Sequence, residues 1–314
     1  MLSRTADHVY WFGRYIERAE NLARLLDVQY RLSLLPQPTQ SVAAGWLDTL
    51  DELGALDEYT TRHGEVEANR AMQFLAFDRD SAISVYGCLR SARENARAVR
   101  GAITSEMWET MNSTWLEART WQARSKNAAP LGDFIDWVKY RAQLLRGATQ
   151  GTMLRDEAYA FMRMGSFLER ADGTARILGA RLATASGGPG AGDYYQWSVV
   201  LRALSGFENY RKLFRDAVTP ERVAELLVLR DDNPRSLRRA VEELYLNLRS
   251  VANSQSQETE RRTGELHSQL HFARIETLVA GGLREFLDDF VKRLQDIDRR
   301  IGADFLAPNY AAAS

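Results

Sequence analysis

The chain has 314 residues, of which 45% are hydrophobic, enough for one large core or for two related ones. Its 41 basic and 42 acidic residues leave a formal charge of -1, which argues against nucleic acid or an anionic membrane as a partner. The single cysteine, Cys88, excludes an internal disulfide and a Cys-x-x-Cys metal or redox site, and it fits a reducing compartment.

The opening stretch, MLSRTADHVYWFGRYIER, is the first predicted helical segment. Charged residues interrupt it every few positions, so it has neither the apolar segment of a signal peptide nor a run of about 18 apolar residues that could span a bilayer. We therefore expect a cytoplasmic protein with no membrane partner.

Helical periodicity continues through the rest of the chain. All seven prolines fall in predicted loops, first helical turns or the tail, and no sustained period-two alternation indicates a strand. VTPERVAELL and DDNPRSLRRAVEEL are typical of capped helix starts with Pro at the first helical position, and ASGGPGAGD at residues 185–193 is typical of a flexible connection. The pattern predicts an all-α fold. We place its helices near residues 5–34, 42–61, 65–76, 81–101, 104–126, 132–148, 155–184, 194–216, 220–229, 235–253, 257–279 and 282–302.

One 14-residue segment of the sequence occurs twice. GRYIERAENLARLL at residues 13–26 returns as GSFLERADGTARIL at residues 165–178, with 7 of 14 positions identical at an offset of 152. Further matches at an offset of 151 or 152 pair Trp46, Tyr59, Ser84, Asn95 and Arg97 with Trp197, Tyr210, Ser236, Asn247 and Arg249. We therefore predict a tandem duplication of a multi-helix repeat of about 152 residues, packed with pseudo-twofold symmetry as one globular unit. The first repeat would span residues 1–154 and the second residues 155–314.

The two copies share a core face and a charged face. On a helix, the apolar residues of each copy fall within one stripe, and the opposite face carries a glycine, two acidic residues and an arginine. Glycine inside a helix costs roughly 1 kcal/mol relative to alanine, so its presence on both charged faces predicts that something approaches the helix backbone closely and covers these faces. These residues are Gly13, Glu17, Glu20 and Arg24 in the first copy, and Gly165, Glu169, Asp172 and Arg176 in the second.

Covered charges need partners, and the sequence leaves two interpretations of the cluster open. In the first, Glu17 and Arg18 pair with Arg170 and Glu169 across the pseudo-twofold axis and lock the repeats together. The (i, i+4) pairs would then be ordinary helix pairs. In the second, the same groups line a pocket for a charged ligand. The candidate residues are Glu17, Arg18, Glu20, Arg24, Glu169, Arg170, Asp172 and Arg176.

Metal and cofactor motifs are absent from the sequence. The acidic pairs resemble the carboxylates of a dimetal bundle, but no Glu-x-x-His accompanies them. His267 and His271 have an (i, i+4) spacing without the Glu of a His-Glu-x-x-His site, so we expect a solvated or half-buried helix face. There is no Gly-x-Ser-x-Gly, no Walker loop and no Gly-x-Gly-x-x-Gly between a strand and a helix. We therefore expect neither a metal nor a cofactor.

Three stretches resemble the bacterial alpha-E family. They are MLSRTADHVYWFGRYIERAENLARLL at the start, CLRSARENARAVRGAITSEMWETMN at residues 88–112 and GLREFLDDFV at residues 282–291, and the resemblance covers essentially the whole chain. It implies an all-helical protein associated with ATP-grasp-type ligases and transglutaminase-like proteins, in systems that form or modify peptide bonds. The glutamates that carry over by motif are Glu17 and Glu20, with Glu169 and Asp172 as their internal counterparts.

Two functions remain open. In one, the chain is an accessory subunit that presents a peptide or amino acid to an ATP-grasp-type ligase, or scaffolds that ligase, and the lack of any nucleotide motif favours this interpretation. In the other, it is an enzyme whose paired helix carboxylates, Glu17, Glu20, Glu169 and Asp172, perform acid/base chemistry on a peptide-like substrate. The sequence does not decide whether the protein is catalytic.

Overall fold

A computed structural model describes residues 1–34, 39–125, 131–183 and 191–306. Within these ranges the chain forms fifteen α-helices and one π-helical turn, with no strand, so the all-α prediction is confirmed. The helices are α1 (Ser3–Ser33), α2 (Thr39–Glu52), α3 (Leu56–His63), α4 (Ala68–Phe77), α5 (Val85–Ala98), α6 (Ser105–Arg124), α7 (Leu131–Thr152), α8 (Glu157–Ala183), α9 (Ala191–Ala203), α10 (Phe207–Phe214), α11 (Pro220–Ala224), α12 (Leu237–Ser250), α13 (Gln257–Phe272), α14 (Ile275–Ala280) and α15 (Leu283–Phe305); the π-helical turn is Glu225–Leu229.

Three predicted helices are wrong as single elements. The segment predicted at 42–61 divides into α2 and α3 at Gly54 (φ +65°), and the one at 194–216 divides into α9 and α10 at Ser205 (φ +53°). At both breaks a left-handed residue ends the helix, and the next residue donates a hydrogen bond to the carbonyl five positions earlier. Ala55 N–H donates to Leu50 O at 2.8 Å, and Gly206 N–H donates to Leu201 O at 2.7 Å. The segment at 257–279 divides into α13 and α14 where Ala273 and Arg274 are extended.

Helix starts follow local hydrogen bonding more than proline position. The predicted start at Pro220 is correct, because Thr219 caps α11 by accepting from the Arg222 N–H. The predicted start at Pro234 is wrong. Helix α12 begins three residues later, where the Ser236 hydroxyl accepts from Arg239 N–H, just as Ser84 caps α5. Of the flexible connection predicted at 185–193, residues 191–193 belong to α9 and the others lie outside the described residues.

Helices α1 and α8 form the centre of the molecule and touch along their backbones. A methyl group added at Gly13 would lie 2.3 Å from Met162 O, and one added at Gly165 would lie 2.2 Å from Tyr10 O. The predicted close approach at these glycines is therefore confirmed. Contacts advance together along both helices, from Tyr10 and Gly165 to Asn21 and Gly173, so α1 and α8 run parallel.

The remaining helices cover this central pair. Helix α1 packs on α5 and α7, and α8 packs on α12 and α15, so both central helices are buried on nearly all sides. The apolar stripe predicted on α1 enters the core with Phe12, Ala19, Ala23 and Leu26, all at most 1% exposed. Because the charged face of α1 is also covered, its polar residues must find partners inside the protein.

Candidate functional site

The two Glu-Arg dipeptides exchange partners across the contact between α1 and α8, which we call the seam. Glu17 accepts from Arg170 Nε and Nη2 at 2.9 and 2.7 Å, and Glu169 accepts from Arg18 Nε and Nη2 at 2.7 and 3.0 Å. Each pair is therefore bidentate, the arrangement that matches the planar guanidinium to a carboxylate. The dipeptides hold the two central helices in register.

The surroundings of Glu17 form a closed cluster, made of Glu17, Glu20, Arg24, Arg146, Arg170 and Arg235. Glu20 is fully buried and accepts from Arg24 Nη2 and Arg235 Nη2, both at 2.6 Å, and from Arg146 Nη2. Arg146 and Arg235 also approach Glu17, each at 3.3 Å. Four guanidinium groups thus surround two carboxylates. A void between α1, α7 and α8 borders the cluster and has a volume of about 30 Å³, room for about one water.

These contacts keep both carboxylates of the closed cluster ionised. Burial alone would raise the pKa of Glu17, but attraction to Arg170, Arg146 and Arg235 outweighs burial and lowers it. The same balance, with Arg235 as the strongest attraction, lowers the pKa of Glu20 to about 2. Burial and the neighbouring Arg24 lower the pKa of Arg235 to about 10 against the pull of Glu20.

Arg24 and Arg176, four residues beyond Glu20 and Asp172, cap two other helices. Arg24 Nη1 donates to Ala203 O, the last carbonyl of α9, and Arg176 Nη1 donates to Glu52 O, the last carbonyl of α2, at 2.5 Å. Each arginine also holds its own (i, i+4) carboxylate. The charged face of α1 therefore reaches the break between α9 and α10, and that of α8 reaches the break between α2 and α3. Sequence periodicity did not predict either break.

The surroundings of Glu169 differ, because they open onto a large cavity. This open cavity lies between α1, α8 and α15, has a volume of about 1080 Å³ and includes Ile83 and Gly54 in its wall. Its apolar wall includes Trp11, Leu22 and Leu25. Its charged lining residues are Arg14, Arg18, Glu169, Asp172, Arg176 and Asp298, with Arg299 at the rim.

Ion pairs orient the charged wall of the open cavity. Arg14 Nε donates to Glu169 at 2.9 Å, and its Nη1 donates to Asp298, which also accepts from Tyr10 Oη at 2.6 Å. The Arg14 guanidinium lies 4.9 Å from the centre of the Trp11 ring, within range of a cation–π interaction. Arg176 Nε donates to Asp172 at 2.7 Å.

Arg18 and Glu169 stay charged at the edge of the cavity. Burial would raise the pKa of Glu169, but Arg18 and Arg14 outweigh it and lower that pKa to about 2. Burial would lower the pKa of Arg18, but Glu169 outweighs it and raises that pKa. The Arg18 side chain is 29% exposed, and no hydrogen bond from its Nη1 is found among the described residues. This nitrogen is available to a ligand.

The structure divides the eight candidate residues between two environments. Glu17, Glu20, Arg24 and Arg170 belong to the closed cluster, whereas Arg18, Glu169, Asp172 and Arg176 line the open cavity. Sequence reasoning missed four charged residues that complete the two environments. They are Arg14, Arg146, Arg235 and Asp298.

His267, His271 and Cys88 are not members of the closed cluster and do not line the open cavity. The His267 ring stacks on Tyr245 at 5.2 Å and is half-buried, as predicted, while His271 is exposed and meets Arg238. Cys88 is fully buried, and burial raises its pKa to about 12. Within the described residues, no three His, Cys, Asp or Glu side chains are grouped as metal ligands.

Comparison with known proteins identifies the family of this chain. Residues 1–306 match a family model described as "Alpha-E: A predicted alpha-helical domain with a conserved ER motif". The chain belongs to the Alpha-E family. Glu-Arg occurs in this sequence at residues 17–18, 169–170, 221–222 and 260–261, and the first two dipeptides are those that exchange partners across the seam.

Relatives of this Alpha-E chain occur in mycobacteria. It is 27% identical over 312 residues to an uncharacterized protein of Mycobacterium bovis and 26% identical to one of Mycobacterium tuberculosis, with 92% of this chain and 35% of each relative covered. The chain thus spans about a third of the length of the curated relatives it matches. No solved structure matches it. In the described part of the chain, every helix is too short or too polar to cross a membrane.

Proposed function

We propose that this Alpha-E chain is a ligand-binding subunit that presents a peptide or amino acid to an ATP-grasp-type ligase, or scaffolds that ligase, in a system that forms or modifies amide bonds. The observation that carries the proposal is the open cavity beside the second Glu-Arg dipeptide. A transglutaminase-like protein is a second proposed partner. Both partners follow from the family resemblance.

The chemistry of the open cavity suits a small zwitterion. A volume of about 1080 Å³ accommodates a ligand the size of a short peptide. Arg18 Nη1 offers donors to a carboxylate, and Asp172 offers an acceptor to an ammonium group. The rings and methyl groups of Trp11 and Leu25 supply an apolar surface between these charges.

The pKa values support binding over acid/base catalysis. A general acid or base works best when its pKa is near the operating pH. Glu20 and Glu169 have pKa values of about 2, and that of Glu17 is also lowered, because arginines hold all three as carboxylates. An enzyme that uses paired carboxylates is the alternative, and these three groups would have to lose their arginine partners before they could accept a proton.

We also infer that the chain arose by duplication, with residues 1–154 and 155–314 as its two copies. In support, α1 contacts α5 and α7 as α8 contacts α12 and α15, and the left-handed breaks after α2 and α9 share their hydrogen bonds. An experimental structure tests this inference. We expect residues 10–30 to superpose on 162–182 with the packed helices following, and different helix paths would contradict it.

The functional proposal is tested with matched arginine variants. Arg18→Gln and Arg170→Gln each remove the bidentate partner of a seam glutamate, but only Arg18 lines the open cavity. Binding of amino acids and short peptides is measured by calorimetry, and amide-bond formation by a purified ATP-grasp ligase from the same bacterium is measured with and without this chain.

We expect the wild-type chain to bind and to stimulate the ligase. Arg18→Gln should lose both properties while it stays folded. Arg170→Gln should melt at a lower temperature but, below its melting point, should keep both. Equal loss in the two variants would show that the seam acts only through stability. Turnover of a candidate substrate by this chain alone would support the enzyme alternative.

A further inference from the structure

The closed cluster and the open cavity occupy matched positions in the sequence. At the offset of 152, Glu17 matches Glu169, Glu20 matches Asp172 and Arg24 matches Arg176. The matched arginines make matched contacts, because Arg24 and Arg176 cap the helices α9 and α2. The same offset matches the buried faces of α7 and α15, where Val138 and Leu145 correspond to Phe290 and Ile297. The two environments can therefore be compared residue by residue.

Two arginines that fill the closed cluster have no counterpart in the open cavity. Arg146 matches Asp298, and Arg235 matches Ile83, which lines the cavity wall. The Arg235 guanidinium lies 2.6 Å from Glu20 and 3.1 Å from Asn21 Oδ1, and Asn21 matches Gly173, another lining residue. The space that Arg235 occupies in one half thus corresponds to open volume beside Asp172 in the other.

The two environments also differ in charge, because the open cavity has fewer arginines and more carboxylates at the matched positions. The closed cluster holds four arginines and two glutamates, whereas the six matched positions hold two arginines, three carboxylates and Ile83. Arg14 matches Ser166 and adds one cation to the cavity, but it is already held between Glu169 and Asp298. Among the described residues, Glu20 has three guanidinium partners, and Asp172 has one, Arg176.

Asp172 therefore has unused capacity. Arg176 donates to its Oδ2, and among the described residues no hydrogen bond reaches its Oδ1. The side chain is 20% exposed and lines the cavity. A carboxylate accepts up to about four hydrogen bonds, and one to a charged donor is among the stronger kinds.

We propose that the open cavity binds its ligand through a primary ammonium or guanidinium group, which pairs with Asp172 in the place that Arg235 takes in the closed cluster. The proposal rests on the proposed function and on the matched register of the two halves. It narrows the ligand from any peptide or amino acid to one that presents a basic side chain or a free amino terminus to Asp172. Arg235 in the closed cluster thus indicates where the cationic group of the ligand would lie in the open cavity.

The experiment uses four tripeptides and calorimetry on the full chain. Ala-Arg-Ala carries both a guanidinium and a free amino terminus, replacement of arginine by citrulline removes the first, acetylation removes the second, and the doubly modified peptide has neither. We expect the doubly modified peptide to bind about tenfold to a hundredfold more weakly than Ala-Arg-Ala, because it lacks a charge-assisted bond. The singly modified peptides identify which cation pairs with Asp172.

Two variants locate the effect. Asp172→Asn should abolish the preference for cationic peptides, so that all four bind with similar affinity. Ile83→Arg should supply the missing guanidinium from the protein itself and abolish binding of Ala-Arg-Ala. Melting temperatures show whether each variant is folded. If Ile83→Arg does not fold, the peptide preference of Asp172→Asn tests the proposal.

The outcomes separate this inference from the functional proposal. Equal binding of all four peptides to the wild-type chain would overturn the inference and leave a peptide-binding subunit. A cation preference that survives in Asp172→Asn would also overturn it. Failure of every peptide to bind the wild-type chain would overturn both proposals.

Discussion

Glu17 and Arg170 are joined by two hydrogen bonds, 2.9 and 2.7 Å long, across the contact between the parallel helices α1 and α8. Arg18 and Glu169 repeat this arrangement in the opposite direction. The second pair lines the open cavity of about 1080 Å³, whereas the first borders a void of about 30 Å³. The repeated Glu-Arg dipeptide therefore meets two environments in this chain, a filled one at Glu17 and an open one at Glu169.

The crossing of α1 and α8 depends on two glycines, which gives the first prediction. In Gly13→Ala and Gly165→Ala the added methyl group would lie 2.3 and 2.2 Å from a backbone carbonyl oxygen, so the helices must move apart. We expect each variant to lower the free energy of unfolding by about 1–3 kcal/mol, as overpacked cores do. Urea denaturation checks this.

Gly147→Ala is the matched control for the glycine variants. Gly147 also lies inside a helix, α7, but nothing lies within 4 Å of a methyl group added there. Its replacement should raise the free energy of unfolding by up to about 1 kcal/mol through helix propensity. Destabilisation by all three alanines alike would contradict the close contact of α1 and α8.

The second prediction concerns acid. The pKa of Glu169 falls from its ordinary value of 4.5 to about 2 in the folded chain, so its ion pairs stabilise the fold fully above about pH 5, and this contribution is lost as the pH falls from about 4.5 toward 2. We expect the difference in unfolding free energy between wild type and Glu169→Gln to shrink over this range. Urea midpoints at pH 7, 5, 4 and 3 measure it, and a difference that is constant or grows in acid would refute the pKa assignment.

Cys88 provides the third prediction, because it reports on the seam. Burial raises the pKa of its thiol to about 12, and Arg18 and Glu169 are close enough to influence that pKa. Only the thiolate reacts with a disulfide reagent, so native protein should react far more slowly than unfolded protein. We expect Glu169→Gln to react faster than wild type at pH 8. Rapid labelling of native wild-type protein would show that the seam opens readily.

The sequence predicted most of the helices, because helical periodicity is local. It did not predict the break at Ser205, since a left-handed conformation at a residue other than glycine is uncommon and depends here on the bond between Gly206 and Leu201. The break at Gly54 carried a recognisable glycine, but the helical pattern continued on both sides of it.

The ion pairs of the seam could be anticipated, because the glutamates and arginines that form them all belong to one repeated motif. Arg146, Arg235 and Asp298 could not be placed, since each reaches the seam from a segment far away in the sequence. The sequence contained one signal: at the offset of 152, Arg146 corresponds to Asp298 and Arg235 corresponds to Ile83. Matched positions that change charge mark where the two halves differ.

Wild type, Glu17→Gln, Glu169→Gln and the double variant show whether Glu17 stabilises the fold while Glu169 serves a ligand site. Glu17→Gln leaves four arginines around a single carboxylate, so we expect a loss of about 3–5 kcal/mol. Each single variant should melt several degrees lower, and the double variant should lose less than the sum because the pairs share one contact between helices.

The measurement is the melting temperature of these four proteins together with their affinity for Ala-Arg-Ala below the melting point. We expect Glu17→Gln to show the larger drop in melting temperature and to keep its affinity. We expect Glu169→Gln to show a smaller drop and to lose affinity about tenfold or more. An unchanged melting temperature with abolished binding in Glu17→Gln would contradict this expectation, because the first glutamate would then belong to the binding site.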